Sequence, residues 1–241
     1  MPVPDKVIFW DFDGTLAHRA GMWSGALLEA LVAHDHACGV TREQLAPFLR
    51  DGFPWHSPHR PHLDHCAPES WWAHLGGVLR RAYTGVGLAE ETAVMLAHRA
   101  RDCYLDPRGW AVYDEVAPVL TNLANAGWRH VILSNHVPEL PALVEALGLR
   151  ALVDGVVTSA LVGYEKPHPE IFRIARELAG NPGVAWMVGD NVEADVLGAE
   201  RSGLPGILVR REDARAERWC ADLRGVGALL EAGASPLPAR R

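Results

Sequence analysis

The chain has 241 residues and a formal net charge of −7, with no long run of basic residues. That length can bury a full hydrophobic core, and the acidic balance argues against the basic face that a nucleic-acid-binding protein needs. The apolar runs are too short to span a membrane, and residues 1–5 lack the basic start of a secretory signal. The four cysteines are scattered without a CxxC pair, which predicts free thiols. We therefore expect a cytoplasmic protein, monomeric or homodimeric, without nucleic-acid or membrane partners.

The first predicted element lies at residues 7–16, VIFWDFDGTL, an apolar run that ends in two carboxylates. Four consecutive bulky residues indicate a strand that is buried on both faces, as in a parallel sheet. Asp11, Asp13 and Gly14 cannot continue such a strand. We expect them at its carboxyl end, which is the edge where open α/β sheets bind their ligands.

A helical block is predicted to follow, from residue 17 to residue 107. Apolar residues recur there at helical spacing, as in Trp23, Leu27 and Leu31. The predicted helices cover residues 23–37, 42–50, 69–81 and 89–104. Residues 51–65 form a loop, because prolines and a glycine interrupt them. The block separates the first strand from the other strands, and we interpret it as an inserted helical cap.

Strands and helices alternate from residue 108 onward. Strands are predicted at residues 130–135, within residues 152–159, and at residues 184–188 and 206–209. Helices are predicted at residues 113–126, 138–147, 169–179, 191–202 and 221–231. This alternation predicts an α/β fold with a doubly wound, Rossmann-like parallel sheet. The predicted domains are a core, residues 1–16 and 108–241, and the cap, residues 17–107. The proline-rich residues 233–241 are expected to be loose.

Polar side chains follow four of the predicted strands and should therefore meet at one edge of the sheet. In chain order they are Asp11 and Asp13, Ser134 and Asn135, Lys166, and Asp190 with Asp195. Two carboxylates two residues apart on an extended segment point to the same side and repel each other. A hard divalent cation such as Mg²⁺ relieves that repulsion, because it takes oxygen ligands and leaves room for a phosphate.

Four motifs in this chain resemble those of the haloacid dehalogenase superfamily, whose members are mostly phosphatases. DFDGTL at residues 11–16 is similar to the first motif, and Ser134 after a hydrophobic strand is similar to the second. Lys166 before Pro167 resembles the third motif, and GDNVEAD at residues 189–195 resembles the fourth. All four occur in the family order at predicted strand ends. The helical block resembles the first cap class of the superfamily.

The resemblance implies a Mg²⁺-dependent phosphohydrolase that acts on a small phosphorylated metabolite. It makes Asp11 the nucleophile, which forms an aspartyl-phosphate, and Asp13 the general acid and base. Lys166 would offset the negative charge of the nucleophile and the phosphate. The implied metal ligands are Asp11, Asp13 through its backbone carbonyl, and Asp190, with Asp195 in support. The implied phosphate-binding residues are Thr15, Ser134, Asn135 and Lys166.

Three alternative functions stay open at this point. A sugar-phosphate mutase shares the same core residues and differs in how its cap controls water. A dehalogenase-type hydrolase is disfavoured, because family dehalogenases lack the second aspartate, here Asp13. A noncatalytic binding module is disfavoured as well, because such a module is expected to have lost one of the charged motif residues.

The predicted cap loop has two features without an assigned role. His56, His59, His62 and His65 recur every three residues, which suggests either a metal site or a loop that faces substrate, although the spacing matches no standard zinc pattern. Trp55, Trp71 and Trp72 either line a pocket or pack the cap helices. The substrate and any movement of the cap stay open.

Overall fold

The computed structural model describes residues 5–233, so the predicted loose tail lies outside this range from residue 234 onward. The described strands are β1 (Lys6–Trp10), β2 (Ala17–Arg19), β3 (Trp110–Val112), β4 (Trp128–Ser134), β5 (Gly155–Thr158), β6 (Val184–Gly189), β7 (Gly206–Val209) and β8 (Trp219–Cys220). The described α-helices are α1 (Met22–His34), α2 (Arg42–Leu45), α3 (Pro68–Gly85), α4 (Glu90–Leu105), α5 (Val116–Asn125), α6 (Leu140–Ala146), α7 (Ser159–Val162), α8 (Pro169–Leu178), α9 (Gly198–Arg201) and α10 (Val226–Gly233).

Six strands form one parallel sheet in the order β5-β4-β1-β6-β7-β8. Strand β1 is central, and its alternate side chains face opposite sides of the sheet. Val7 and Phe9 belong to one buried apolar cluster, whereas Ile8 and Trp10 belong to another. Both faces of the sheet are therefore covered, which explains the continuous apolar run of β1 and confirms the predicted α/β class.

The interior of the sheet contains one buried hydrogen-bond chain. Trp10 Nε1 donates to His130 Nδ1 at 3.0 Å, and His130 Nε2 lies 2.9 Å from the carbonyl oxygen of Leu120. Burial lowers the pKa of His130, so the ring is neutral and its second nitrogen donates to Leu120. A polar side chain is thus accommodated in the core because each ring nitrogen has a partner.

The helical insertion leaves and re-enters the core through a short antiparallel ribbon. Strand β2 pairs with β3, with Ala17 opposite Val112 and Arg19 opposite Trp110. Helices α1 to α4 lie between these strands in the chain, and α4 packs against both α1 and α3. No sequence pattern predicts this ribbon, because three residues per strand are too few to show alternation.

Several predicted helices differ from the structure. Residues 191–202 are not one α-helix, because a π-helix (Val192–Leu197) precedes α9. Residues 42–50 contain only the short α2, followed by a 3₁₀-helix (Ala46–Leu49), and the helix predicted at 221–231 begins at Val226. Residues 152–159 contain the predicted strand, β5, which ends before α7 begins at Ser159. Within residues 5–233, no helix is long and apolar enough to cross a membrane.

The buried hydrogen bond between β1 and β4 predicts the effect of Trp10→Phe. Phenylalanine keeps an aromatic ring but cannot donate, so His130 Nδ1 becomes a buried acceptor without its partner. We expect the free energy of unfolding, measured by urea denaturation, to fall by about 1–3 kcal/mol. The matched control is Trp219→Phe on the exposed edge of β8, which should change it by less than about 0.5 kcal/mol. Equal effects of the two substitutions would contradict this account.

Candidate active site

The carboxyl ends of β1, β4 and β6 meet at one edge of the sheet. Asp11 follows β1, Ser134 ends β4, and Asp190 follows β6. The Asp11 N–H donates to the carbonyl oxygen of Val188 at 2.9 Å, which extends the pairing of β1 and β6 by one residue. Asp11 is therefore held rigidly at the centre of the sheet edge, as expected for a residue at a ligand-binding edge.

Lys166 joins the predicted motifs in space. Its Nζ donates three hydrogen bonds: to Asp11 Oδ1 at 2.7 Å, to Asp195 Oδ1 at 2.7 Å and to the carbonyl oxygen of Leu133 at 2.8 Å. Burial by itself lowers the pKa of Lys166, but the Asp11 and Asp195 carboxylates outweigh burial and raise it. The ammonium group is therefore permanently charged and has no unused donor.

Asp11 accepts hydrogen bonds on both carboxylate oxygens. Ser134 Oγ donates to Oδ1 at 2.8 Å, beside the Lys166 bond, and Thr15 Oγ1 lies 3.4 Å from Oδ2. Ser134 and Thr15 are both buried. The structure thus brings these two predicted phosphate-binding residues together around the Asp11 carboxylate, where they fix its orientation.

Asn135 holds Lys166 through the backbone. Its Nδ2 donates to the Lys166 carbonyl oxygen at 2.9 Å, and its Oδ1 accepts from the Lys166 N–H at 2.6 Å. Both ends of the Asn135 side-chain amide are thus bonded to the Lys166 backbone.

Arg210, a residue that the sequence analysis missed, anchors the loop after β1 from the end of β7. Its Nη2 donates to the Thr15 carbonyl oxygen at 2.7 Å and lies 2.8 Å from Glu115 Oε1. Its guanidinium group also lies 3.3 Å from the centre of the Tyr113 ring. No local motif marks Arg210, because its contacts are with residues far away in the chain.

Asp13 lies on the same loop, where its side chain is partly buried. Its Oδ1 has no hydrogen-bond partner within residues 5–233, and His136 Nε2 lies 3.7 Å from it. Burial raises the pKa of Asp13 well above its ordinary value, and the Asp11 and Asp190 carboxylates add to the effect. Burial lowers the pKa of His136 to about 3, so that ring is neutral. A carboxyl group with a raised pKa is suited to carrying a proton near neutral pH.

Three carboxylates converge beside Lys166. Asp11, Asp190 and Asp195 each have a side-chain oxygen within 4.8 Å of the others. Asp195 is already occupied, because its Oδ1 accepts from Lys166 and its Oδ2 accepts from the Asn191 N–H at 2.9 Å. Burial and the nearby Asp11 charge raise the pKa of Asp190 to about 6. Asp190 Oδ2 also accepts a hydrogen bond, from Arg211 Nη2. Asp11 and Asp190 can still offer carboxylate oxygens to a hard cation.

Two glycines make this close approach of the carboxylates possible. Gly14 has a φ of 77°, and a Cβ atom there would lie 2.6 Å from Asp190 Oδ2. A Cβ atom at Gly189 would lie 2.1 Å from Asp195 Oδ2. Both positions require glycine because the backbone itself forms the wall against the carboxylates.

The loop at residues 51–65 contacts the segment beside Lys166. His62 Nε2 lies 2.9 Å from Oε1 of Glu165, a fully buried carboxylate, and the His62 N–H donates to the carbonyl oxygen of Gly163 at 2.9 Å. His65 instead stacks on His74, and His59 is exposed. Within residues 5–233, no cluster of three or more metal-ligating side chains includes these histidines.

The tryptophans of the insertion divide into two groups. Trp71 and Trp72 are buried, and Trp72 Nε1 donates to Glu139 Oε1 of the core at 2.8 Å. Trp55, together with Trp23, lines a cavity of about 400 Å³ that also contains Asp11 and Lys166. A somewhat larger cavity, about 480 Å³, lies between α3 and α4, away from the carboxylates. Trp55 thus lines the cavity beside Asp11, whereas Trp71 and Trp72 are buried.

Comparison with known proteins agrees with this geometry. Residues 6–203 match the family model of the haloacid dehalogenase-like hydrolases, and the chain belongs to that family. It is 31% identical over 209 residues to the human haloacid dehalogenase-like hydrolase domain-containing protein 3, which covers 85% of this chain and 81% of that protein. The family resemblance of the four motifs is thereby confirmed, and the chain is a hydrolase of this family.

Two further relatives carry more specific names. The chain is 30% identical over 231 residues to a glyceraldehyde 3-phosphate phosphatase of Methanothermobacter thermautotrophicus, covering 92% of each chain. It is 33% identical to a phosphoserine phosphatase of Thermus thermophilus over an aligned length of 257 positions, which covers 94% of this chain and 97% of that one. Among solved structures, a 2-haloacid dehalogenase from Pseudomonas syringae superposes with a TM-score of 0.67 at 24% identity, over 95% of this chain and 99% of that one. The superposition supports the shared fold.

The contact between His62 and Glu165 predicts a measurable coupling between the cap loop and the core. His62→Ala leaves the buried Glu165 carboxylate without this partner, so we expect the free energy of unfolding in urea to fall by about 1–3 kcal/mol. The exposed His59 supplies the matched control, and His59→Ala should have an effect below about 0.5 kcal/mol. In a double-mutant cycle with Glu165→Ala, purely additive effects would contradict a direct interaction.

Proposed function

We propose that this chain is a Mg²⁺-dependent phosphomonoester hydrolase that acts on a small phosphorylated metabolite through an aspartyl-phosphate. The observation that carries the proposal is the Lys166 ammonium group, which lies between Asp11 and Asp195 at the sheet edge with Asp190 close by. The names of the two phosphatase relatives support it. The proposed division of the chain is a core of residues 1–16 and 108–241 with a cap of residues 17–107, which the β2–β3 ribbon supports.

In the proposed reaction an Asp11 carboxylate oxygen attacks phosphorus and the bond from phosphorus to the alcohol oxygen breaks. Asp13 donates its proton to the departing alcohol oxygen, and its raised pKa suits that role. In the second half a water molecule attacks the aspartyl-phosphate while Asp13 takes its proton, which regenerates Asp11 and releases phosphate. Lys166 stabilises the negative charge that spreads over the phosphoryl oxygens.

The donor atoms in the site fit a magnesium ion. Oxygen ligands are available from the Asp11 and Asp190 carboxylates, and we assign the Asp13 backbone carbonyl as a third. The raised pKa of Asp190 reflects burial and the neighbouring Asp11 charge, a repulsion that a bound cation relieves. When bound, the ion supplies positive charge next to the phosphoryl oxygens. Asp195 and Asn135 have a different role, which is to position Lys166.

A dehalogenase-type reaction is the less suitable alternative. A halide leaving group needs no proton, yet Asp13 is placed at the cavity with a pKa that favours a proton donor. The similarity to a solved dehalogenase, at 24% identity, supports only the common fold. A mutase shares the proposed chemistry up to the aspartyl-phosphate, and transfer to water or to a second sugar hydroxyl distinguishes the two.

The proposed mechanism predicts the outcome of Asp11→Asn. We expect this variant to lose Mg²⁺-dependent phosphate release from glyceraldehyde 3-phosphate and phenyl phosphate by at least about a thousandfold, because a carboxamide does not form the covalent intermediate. Circular dichroism should report an intact fold. Turnover within a few fold of the wild-type value would refute the assignment of Asp11 as nucleophile.

The proposed metal site predicts different effects at two glycines with the same backbone conformation. Gly14 and Gly148 have φ values of 77° and 75°, but a Cβ atom meets Asp190 only at Gly14, whereas nothing lies within 4 Å at Gly148. Each alanine substitution should destabilise the fold by about 1–2 kcal/mol through left-handed strain. Only Gly14→Ala should raise the Kd for Mg²⁺, measured by calorimetry, by about tenfold or more. Equal Mg²⁺ affinities for the two variants would count against the site.

A further inference from the structure

The two sides of the cavity differ in chemistry. On the core side it contains the carboxylates and Lys166 described above, which would hold the phosphoryl group. On the insertion side its lining residues are Met22, Trp23, Trp55 and Pro58, all apolar or aromatic. The leaving group of a substrate must lie on the side of the phosphoryl group away from Asp11. It therefore meets the insertion side.

Among residues 5–233, the cavity lining offers no free cation to a leaving group. Lys166 is the only basic residue in that lining, and each of its three donors is occupied. Arg211, which is not a lining residue, is paired with Asp190. His56, next to Trp55, has a pKa that burial lowers, so this ring is neutral. Glu193 adds a further negative charge to the lining. A leaving group with a carboxylate would face carboxylates and aromatic rings without a counter-charge, which is unfavourable.

The backbone at the start of α1 is strained where it forms this lining. Met22 has a φ of 46°, directly after Gly21 with a φ of 70°. A left-handed conformation at a non-glycine residue costs energy and persists where the surroundings enforce it, which is frequent at binding sites. Trp23 follows immediately and is stacked on Tyr104, with ring centres 3.8 Å apart. The Trp23 ring is therefore already fixed at the cavity wall, so substrate binding costs little conformational entropy at this side chain.

We infer that the site selects phosphomonoesters whose leaving alcohol is uncharged and presents an apolar or aromatic face, and that it discriminates against leaving groups with a carboxylate. This inference rests on the proposed function of the same site. It goes beyond that function, because it states that Trp23, Trp55 and Met22 contact the leaving group of the substrate. Aromatic rings in such a wall favour stacking against a flat or apolar surface.

The test compares two esters that differ in charge and hardly in size: 4-carbamoylphenyl phosphate and 4-carboxyphenyl phosphate. We expect the wild-type protein with Mg²⁺ to hydrolyse the carbamoyl ester with a kcat/KM at least about tenfold higher. In Trp55→Arg the ratio of the two kcat/KM values should fall by about tenfold or more, because the new guanidinium group pairs with the carboxylate. Pro58→Arg is a second variant at the same wall, for the case in which Trp55→Arg does not fold.

Trp219→Arg, an identical substitution on the exposed edge of β8, is the control and should leave the ratio unchanged. Comparison between variants cancels the difference in reactivity between the two leaving groups. Asp11-dependent hydrolysis with no preference, or with a preference for the carboxylate ester, would overturn the inference and leave the proposed function standing. An unchanged ratio in both wall variants would overturn it as well. Absence of Asp11-dependent phosphate release from either ester and from glyceraldehyde 3-phosphate would overturn the proposed function and this inference with it.

Discussion

The structure of the site depends on one buried ammonium group held between two carboxylates. Lys166 contacts Asp11, directly after β1, and Asp195, in the π-helix after β6. It also donates to the carbonyl oxygen of Leu133 in β4. These three charged groups are buried, and each is tolerated there because an opposite charge lies next to it. Removal of one of them would leave a buried charge without its partner. Burial raises the pKa values of Asp190 and Asp13, and the Asp11 charge adds to the effect, while Lys166 and, at Asp190, Arg211 offset it only in part. The proposed metal ion would offset the remaining negative charge.

Precision in this site comes from backbone as much as from side chains. Gly14 and Gly189 let the chain pass within contact distance of Asp190 and Asp195, and Asn135 fixes the Lys166 backbone on both sides. Parallel strands deliver these groups on rigid elements, and short loops with paired polar groups then hold them in place. The helical insertion connects to the same region, because His62 binds Glu165, the residue directly before Lys166. The contact joins the insertion to the core next to the central lysine.

The two sides of the cavity differ in what they would contribute to the proposed reaction. The core side contains the motif residues Asp11, Lys166 and Asp190, whereas the insertion side contains Met22, Trp23, Trp55 and Pro58. One fold hosts many reactions, so the residues of the site decide the function. The raised pKa of Asp13 favours a reaction whose leaving group needs a proton, and the apolar wall suits the uncharged alcohol that we infer.

The sequence by itself determined the α/β class, the position of the helical insertion and the strand-end location of Asp11, Ser134 and Asp190. These features follow from local signals: apolar runs that end in polar residues, and helical periodicity between them. Lys166 does not directly follow a strand as predicted, because β5 ends at Thr158 and α7 comes between that strand and Lys166. Tertiary structure alone decided which partners those residues take. The pairing of His62 with Glu165, the anchoring of Thr15 by Arg210 and the β2–β3 ribbon each join residues distant in the chain, so no local pattern encodes them. The three-residue histidine spacing suggested a metal site or a loop that faces substrate. A proline-broken loop does not keep its side chains on one face, and only the fold directed His62 toward the buried Glu165 carboxylate.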